Sequence, residues 1–165
     1  MRMQDDKKSV YIETTIPSFA TGRPSIDTIT AGKQAATLLF WEQKRYNYKM
    51  YVSQYVIDEC KLGDPEAAQR RLNFIKDIEI LSNIDEVNTL ATMYQQILDI
   101  PERATTDSFH LSSCVIAKIN YLLSWNCTHL GIATYAKLRS YNEEHSLWTP
   151  LLVTPDFLIN SEEDI

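Results

Sequence analysis

The stretch 105–130, TTDSFHLSSCVIAKINYLLSWNCTHL, constrains the fold more than any other part of the chain. It reads as a helix opening with an acid, followed by a short apolar strand ending in polar residues. Asp107 follows two threonines at the start of an apolar segment, where a helix N-terminus favours negative charge. Phe109, Leu111, Cys114, Val115, Ile116 and Ile119 leave little polar surface, so this helix is expected to be largely buried. Tyr121, Leu122 and Leu123 form a brief strand signal, and Ser124, Trp125 and Asn126 put polar atoms at its carboxyl end. In open α/β sheets ligands bind outside that end. An acid at a buried helix start and an amide at a strand end read as two walls of one site.

The rest of the chain repeats the alternation. Val10, Tyr11 and Ile12 make a first strand signal that stops at Glu13-Thr14-Thr15, and Pro17 suits the first turn of the helix that follows. A loop at Gly22 to Ser25 leads into a helix expected from about Asp27 to Tyr46, with Ile29, Ala36, Leu39 and Phe40 on its buried face. Tyr51-Val52 is a second strand, running into Ser53-Gln54 and a helix that carries Val56, Ile57 and Glu59. Asp64-Pro65 is a cap followed by proline, and Ala68, Leu72 and Ile75 form the stripe behind it. A short strand is expected over Ile78 to Leu81.

Val87, Leu90, Ala91, Tyr94, Ile97 and Leu98 then give the cleanest helical period, interrupted by Pro101. Beyond Asn126 a helix is expected over about Thr128 to Asn142, then a strand at Leu151 to Val153, and a helical turn from Thr154-Pro155. Short apolar strands alternating with helices predict an α/β domain with a mostly parallel sheet covered on both faces. No internal repeat or low-complexity linker breaks it. The expectation is one domain over 1–165, with residues 1–8 and 160–165 as flexible tails.

Composition narrows the class. A chain of 165 residues supports one domain with a sizeable core. Three cysteines, none in a CxxC pair, argue against a disulfide framework and for a reducing cytoplasm. The charged opening MRMQDDKKS carries no apolar secretory core, and no run is long enough to span a membrane. The net charge of −6 disfavours broad, non-specific nucleic-acid binding, but a carboxylate-rich metal site would itself contribute negative charge.

Three carboxylates fall near predicted strand ends or helix starts: Glu13, Glu59 and Asp107. Asn126 occupies an equivalent position. Parallel strand ends share one edge, so residues distant in sequence can meet there. Clustered carboxylates repel unless a proton or cation bridges them, and hard oxygen ligands suit Mg²⁺ or Mn²⁺. The competing reading is ordinary helix caps and surface acids. A zinc site from His110, Cys114, Cys127 and His129 fits no standard spacing, and cysteine is often a buried small hydrophobe. The absence of GxGxxG, Walker A and GxSxG motifs disfavours dinucleotide binding, phosphate-loop chemistry and a hydrolase nucleophile. The tyrosines and tryptophans read as core or interface.

Four segments in order, VYIETTIPSF, YVSQYVIDEC with GDPEAAQRRL, TTDSFHLSSC, and YLLSWNCTHLGIA, resemble PIN-domain proteins, most of all the bacterial branch related to VapC toxins. The resemblance runs from about Val10 to Phe157. It implies a three-layer α/β/α sandwich with a central, mostly parallel sheet, and metal-dependent cleavage of RNA phosphodiester bonds with Mg²⁺ or Mn²⁺. It implies Glu13, Glu59 and Asp107 as the metal-binding acids, Asn126 at a fourth position, and Thr14 as a supporting hydroxyl. It also implies an RNA substrate, a small antitoxin partner and a homodimer.

Two positions depart from the wider family's pattern: glutamate stands at the first acid and asparagine at the fourth, both usually aspartate. The expectation is therefore one well-bound metal and a weaker second site. The alternative is a catalytically weak or inactive PIN-fold module for RNA or protein binding.

Overall fold

The computed structural model describes residues 7–82, 85–126 and 131–161. Five strands form one all-parallel sheet: β1 (Ser9–Ile12), β2 (Lys49–Val52), β3 (Glu79–Ile80), β4 (Tyr121–Leu123) and β5 (Leu151–Val153). Their spatial order is β3-β2-β1-β4-β5. Eight α-helices flank the sheet among the described residues: α1 (Thr15–Thr21), α2 (Thr28–Gln43), α3 (Gln54–Cys60), α4 (Pro65–Ile75), α5 (Asp85–Ile97), α6 (Thr105–Ile116), α7 (Ile132–Glu144) and α8 (Pro155–Asn160). The expected three-layer α/β/α sandwich is the observed architecture.

The order places β1 at the centre, paired in register with β2 through Val10 and Met50 and with β4 through Val10 and Tyr121. Val10, Tyr11 and Ile12 are completely buried, as a strand covered on both faces must be. The chain runs outward from β1 to β2 and β3, then returns to β1's other side for β4 and β5. The reversal lies between β1 and β4, and such a switch point opens a crevice at the carboxyl ends of the strands. Glu13 and Ser124 are the first residues past those two strands.

The ladder continues beyond the strands, with Glu13 N–H donating to Leu123 O at 3.1 Å and Ser124 N–H to Val153 O at 3.0 Å. Both residues therefore hold fixed positions despite lying outside regular structure.

Helix α6 is as buried as its composition demands: His110, Leu111, Ser112 and Cys114 are each at most 2% exposed. It packs against α5 and contacts α3 and β4. Asp107 sits in its first turn, as expected. Asp64 caps α4 by accepting from Ala67 N–H, with Pro65 at the first helical position.

Several expectations need correction. The helix expected to reach Tyr46 ends at Gln43, and a 3₁₀ turn over Arg45–Asn47 takes the place of its last turn. Its predicted face is only partly the buried one: Phe40 is buried as expected, but Ile29 and Leu39 are not. Ile29 is 73% and Leu39 39% exposed, while Phe40 and the polar Thr37 are fully buried. The physical reason lies across the layer, where Thr37 Oγ1 accepts from Trp125 Nε1 at 2.8 Å and turns that face inward. The third strand shrinks to Glu79 and Ile80, both exposed at the sheet edge. Pro101 does not interrupt a helix, since α5 already ends at Ile97 and Asp99 takes a left-handed φ of 52°.

The seventh helix begins at Ile132 and runs to Glu144, and its expected start at Thr128 lies outside the described residues. The expected tails at 1–6 and 162–165 lie outside them as well. Of the tail residues that are described, Lys8 O accepts from Lys49 N–H and Asn160 closes α8. No helix among the described residues is long and apolar enough to cross a membrane.

Candidate metal centre

Glu13 leaves the central strand as a buried carboxylate, 6% exposed. Burying a charge is costly unless it is paired or hydrogen-bonded. One oxygen, Oε2, accepts three bonds: from Thr15 N–H at 3.0 Å, Thr15 Oγ1 at 2.5 Å and Ser124 Oγ at 2.7 Å. The other, Oε1, accepts none among the described residues. Thr15 Oγ1 also accepts from Trp125 N–H, and Ser124 Oγ accepts from Asn126 N–H, each at 2.9 Å. Glu13 is thus clamped from its own turn and from the end of β4.

Glu59 comes from α3, which follows directly on β2. Its Oε1 accepts from Thr14 Oγ1 at 2.7 Å and lies 2.6 Å from His110 Nε2. Oε2 carries no hydrogen bond among the described residues. Burial works to raise the Glu59 carboxyl, but the hydrogen bond and charge of His110 and the hydrogen bond from Thr14 outweigh it. The group is held below its ordinary value.

His110 completes the set from α6, one turn after Asp107. Its Nδ1 lies 2.6 Å from Tyr11 Oη, which in turn lies 2.6 Å from Ser53 Oγ. Burial pushes the Tyr11 hydroxyl well above its ordinary value, so it stays a neutral O–H. A stacked Tyr55–Phe109 pair, with ring centroids 4.5 Å apart, ties α3 to α6 beside these bonds.

One ligand atom each from Glu13, Glu59 and His110 lies within 4.8 Å of the others. No lysine or arginine forms an ion pair with either glutamate among the described residues. Two carboxylates held this close, each with one oxygen uncommitted, are a donor set that fits a divalent cation. Two of the sequence-derived acids, Glu13 and Glu59, are therefore brought together, with Thr14 bonded directly to Glu59.

Asp107 and Asn126 stand differently. Asp107 is half-buried in the first turn of α6 and does not join the three-donor group. Asn126 is exposed, with its backbone N–H tied to Ser124. Ser124, two residues earlier, is the residue at the end of β4 that touches Glu13. Sequence reasoning weighed His110 only for zinc. The signal that could have placed it here is its spacing of three from Asp107, which puts both on one side of α6. The zinc set drawn from His110, Cys114, Cys127 and His129 finds no support among the described residues, because His110 gathers with Glu13 and Glu59 and Cys114 does not join them. Cys60 and Cys114 are buried thiols; burial pushes Cys60 up to about 11 against the opposing Arg71 charge, and Cys114 well up. Cys127 and His129 lie outside the described residues.

The sequence matches no family model and no curated protein. Solved structures do resemble it. VapBC2 from Rickettsia felis, crystallised bound to a DNA fragment from its promoter, is 15% identical with a TM-score of 0.52, covering 88% of this chain and 98% of that one. FitAcB from Neisseria gonorrhoeae is 9% identical with a TM-score of 0.55, covering 88% of this chain and 97% of that one. At these identities the likeness concerns the fold. The chain has a VapC-like PIN fold, with Glu13, Glu59 and His110 gathered at the carboxyl edge of its parallel sheet.

Proposed function

We propose that this chain is a metal-dependent endoribonuclease acting as the toxin of a type II toxin–antitoxin pair. The observation that carries the reading is the buried Glu13 beside Glu59 at the switch point of the sheet, without a basic partner among the described residues. Glu13 and Glu59 would hold Mg²⁺ or Mn²⁺. When bound, such a cation supplies Lewis-acid stabilisation of the charge that develops on the scissile phosphate.

The chain's own residues prepare that site. Thr15 and Ser124 fix the Glu13 carboxylate through one oxygen and leave the other for the cation. Thr14 and His110 do the same for Glu59. Asp107, one turn before His110, and Asn126, beyond Ser124, would act at the rim on substrate or solvent.

Lys33 lies 5.7 Å from the ring centroids of both Phe19 and Trp125, next to the Thr15 clamp. A cation beside aromatic faces suits a single-stranded RNA backbone and its bases. The likeness to VapBC2 and FitAcB supports a small antitoxin that covers the cleft. A homodimer and a cytoplasmic location belong to the same proposal.

A second reading, a PIN-fold module that binds RNA or protein without cutting, is favoured by Asp107 standing outside the donor group. Cleavage of a generic single-stranded RNA with Mn²⁺ tests the two. The nuclease reading expects activity in the wild type and a loss of at least about 100-fold in Glu13→Gln and Asp107→Ala, the scale of removing one preorganised electrostatic group. Equal behaviour of wild type and both variants, all folded, would leave the binding module.

A further inference from the structure

His110 links the metal centre to a buried pair of hydroxyls that no step of the proposed cleavage uses. Tyr11 is completely buried on the central strand, and Ser53, 4% exposed, is the first residue past β2. Their oxygens and the two His110 nitrogens form one chain: Ser53 Oγ, Tyr11 Oη, Nδ1, then Nε2 and Glu59 Oε1, each contact 2.6 Å. A phenylalanine at position 11 would fill the same apolar space. The hydroxyl therefore has to be explained by what it does for the imidazole.

Neutral histidine has one nitrogen that donates and one that accepts, and its second partner selects the tautomer. Opposite an ionised Glu59, Nε2 carries the proton, so Tyr11 donates to Nδ1 and Ser53 donates to Tyr11. The opposite arrangement satisfies the two hydroxyls equally: Nδ1–H donates to Tyr11 Oη, and Tyr11 donates to Ser53 Oγ. A hydroxyl both donates and accepts, so the pair keeps Nδ1 partnered in either tautomer. The second tautomer leaves the Nε2 lone pair free on the side of Glu59 and Glu13. That is where three donor atoms lie within 4.8 Å of one another.

We infer that His110 is a direct nitrogen ligand of the cation, with Tyr11 and Ser53 as the hydroxyl pair that holds its Nδ1 proton in the metal-bound form. This rests on the metal reading proposed above and gives it a metal class. Two carboxylates and one imidazole form a mixed oxygen–nitrogen set, whereas Mg²⁺ is held by oxygen ligands and water. Imidazole suits the first-row transition metals, whose affinities rise from Mn²⁺ to Cu²⁺. The site therefore selects Mn²⁺ and its heavier neighbours over Mg²⁺. Tyr11 is a positioning residue in this scheme, since it touches the ligand and not the cation.

Pulsed electron paramagnetic resonance of the intact protein loaded with Mn²⁺ reads the ligand directly. The expected result is a ¹⁴N coupling characteristic of bound imidazole, converted to a ¹⁵N pattern by histidine-selective labelling and abolished in His110→Gln. His129→Gln and His145→Gln should retain it. In competition binding, His110→Gln and Tyr11→Phe should each lose roughly 10-fold or more in Mn²⁺ affinity while Mg²⁺ affinity changes little, the scale of an outer ligand's support. A merely structural role for Tyr11 would lower both affinities together.

Mn²⁺ bound tightly without nitrogen coupling in the labelled wild type overturns the inference and leaves the two-glutamate site standing. Failure of the wild type to bind Mn²⁺ at all overturns the inference and the metal reading beneath it. Isotope labelling of the wild type keeps the test decisive even where a variant fails to fold.

Discussion

Ser124 Oγ donates to Glu13 Oε2 at 2.7 Å across 111 residues of sequence, joining the ends of β4 and β1. The same hydroxyl accepts from Asn126 N–H, so one side chain both fixes the carboxylate and sets the backbone leaving β4. Ser124→Ala removes one of three donors to a buried charge. The expected cost is about 1.5–3 kcal/mol of stability, the range for a hydrogen bond to a charged group. Mn²⁺ affinity should fall roughly 10- to 100-fold, as for other groups that orient a ligand. Denaturant midpoints without metal and isothermal titration with Mn²⁺ measure the two effects separately.

Glu59 makes the fold sensitive to acid in a defined direction. Its carboxyl sits below the ordinary 4.5 because His110 and Thr14 together overcome the upward push of burial. The folded protein binds that proton less tightly than the unfolded chain does. The stabilisation is therefore complete at neutral pH and disappears as pH falls from the ordinary carboxylate range through the lower folded value. In chelator, the wild type should lose more stability between about pH 5 and about pH 3 than Glu59→Gln, whose side chain does not titrate. Parallel pH profiles for the two proteins would remove this account of the Glu59 contacts.

A second buried polar link holds the opposite side of the molecule. Tyr94 of α5 donates its hydroxyl to Asn142 Oδ1 at 2.5 Å, and Asn142 Nδ2 donates to Trp148 O at 3.0 Å and to Thr149 Oγ1 at 3.1 Å. Asn142 is completely buried and sits in the last turns of α7, so it fixes the approach to β5. Tyr94→Phe leaves Oδ1 without that donor and should cost about 1–3 kcal/mol. Asn142→Ala should cost more, since it frees three partners. The proposed RNA cleavage should be unchanged in Tyr94→Phe at temperatures where it remains folded, because neither residue touches the Glu13, Glu59 and His110 group.

What the sequence by itself determined is the architecture and the placing of two acids, Glu13 and Glu59, at one edge of the sheet. Short apolar strands alternating with helices leave few alternatives to a covered parallel sheet, and Glu13 and Glu59 follow the first two strands at positions that topology brings to one edge. The same local logic placed Asp107 correctly in the first turn of α6 and Cys114 in the core. It failed on α2, where Ile29 and Leu39 are exposed and Thr37 is buried. Which face of a helix turns inward depends on a partner such as Trp125, 88 residues away.

Only the tertiary structure decided which donors converge. The Asp107 carboxylate and the His110 ring share a face of one helix, and a 3.6-residue period cannot say which of them reaches Glu59. That depends on side-chain length and on the distance between α3 and α6, both resolved by packing. Tyr11 looked like one more core residue of a buried strand. Its hydroxyl gains meaning only because the fold brings Ser53 Oγ and His110 Nδ1 each to 2.6 Å from Tyr11 Oη.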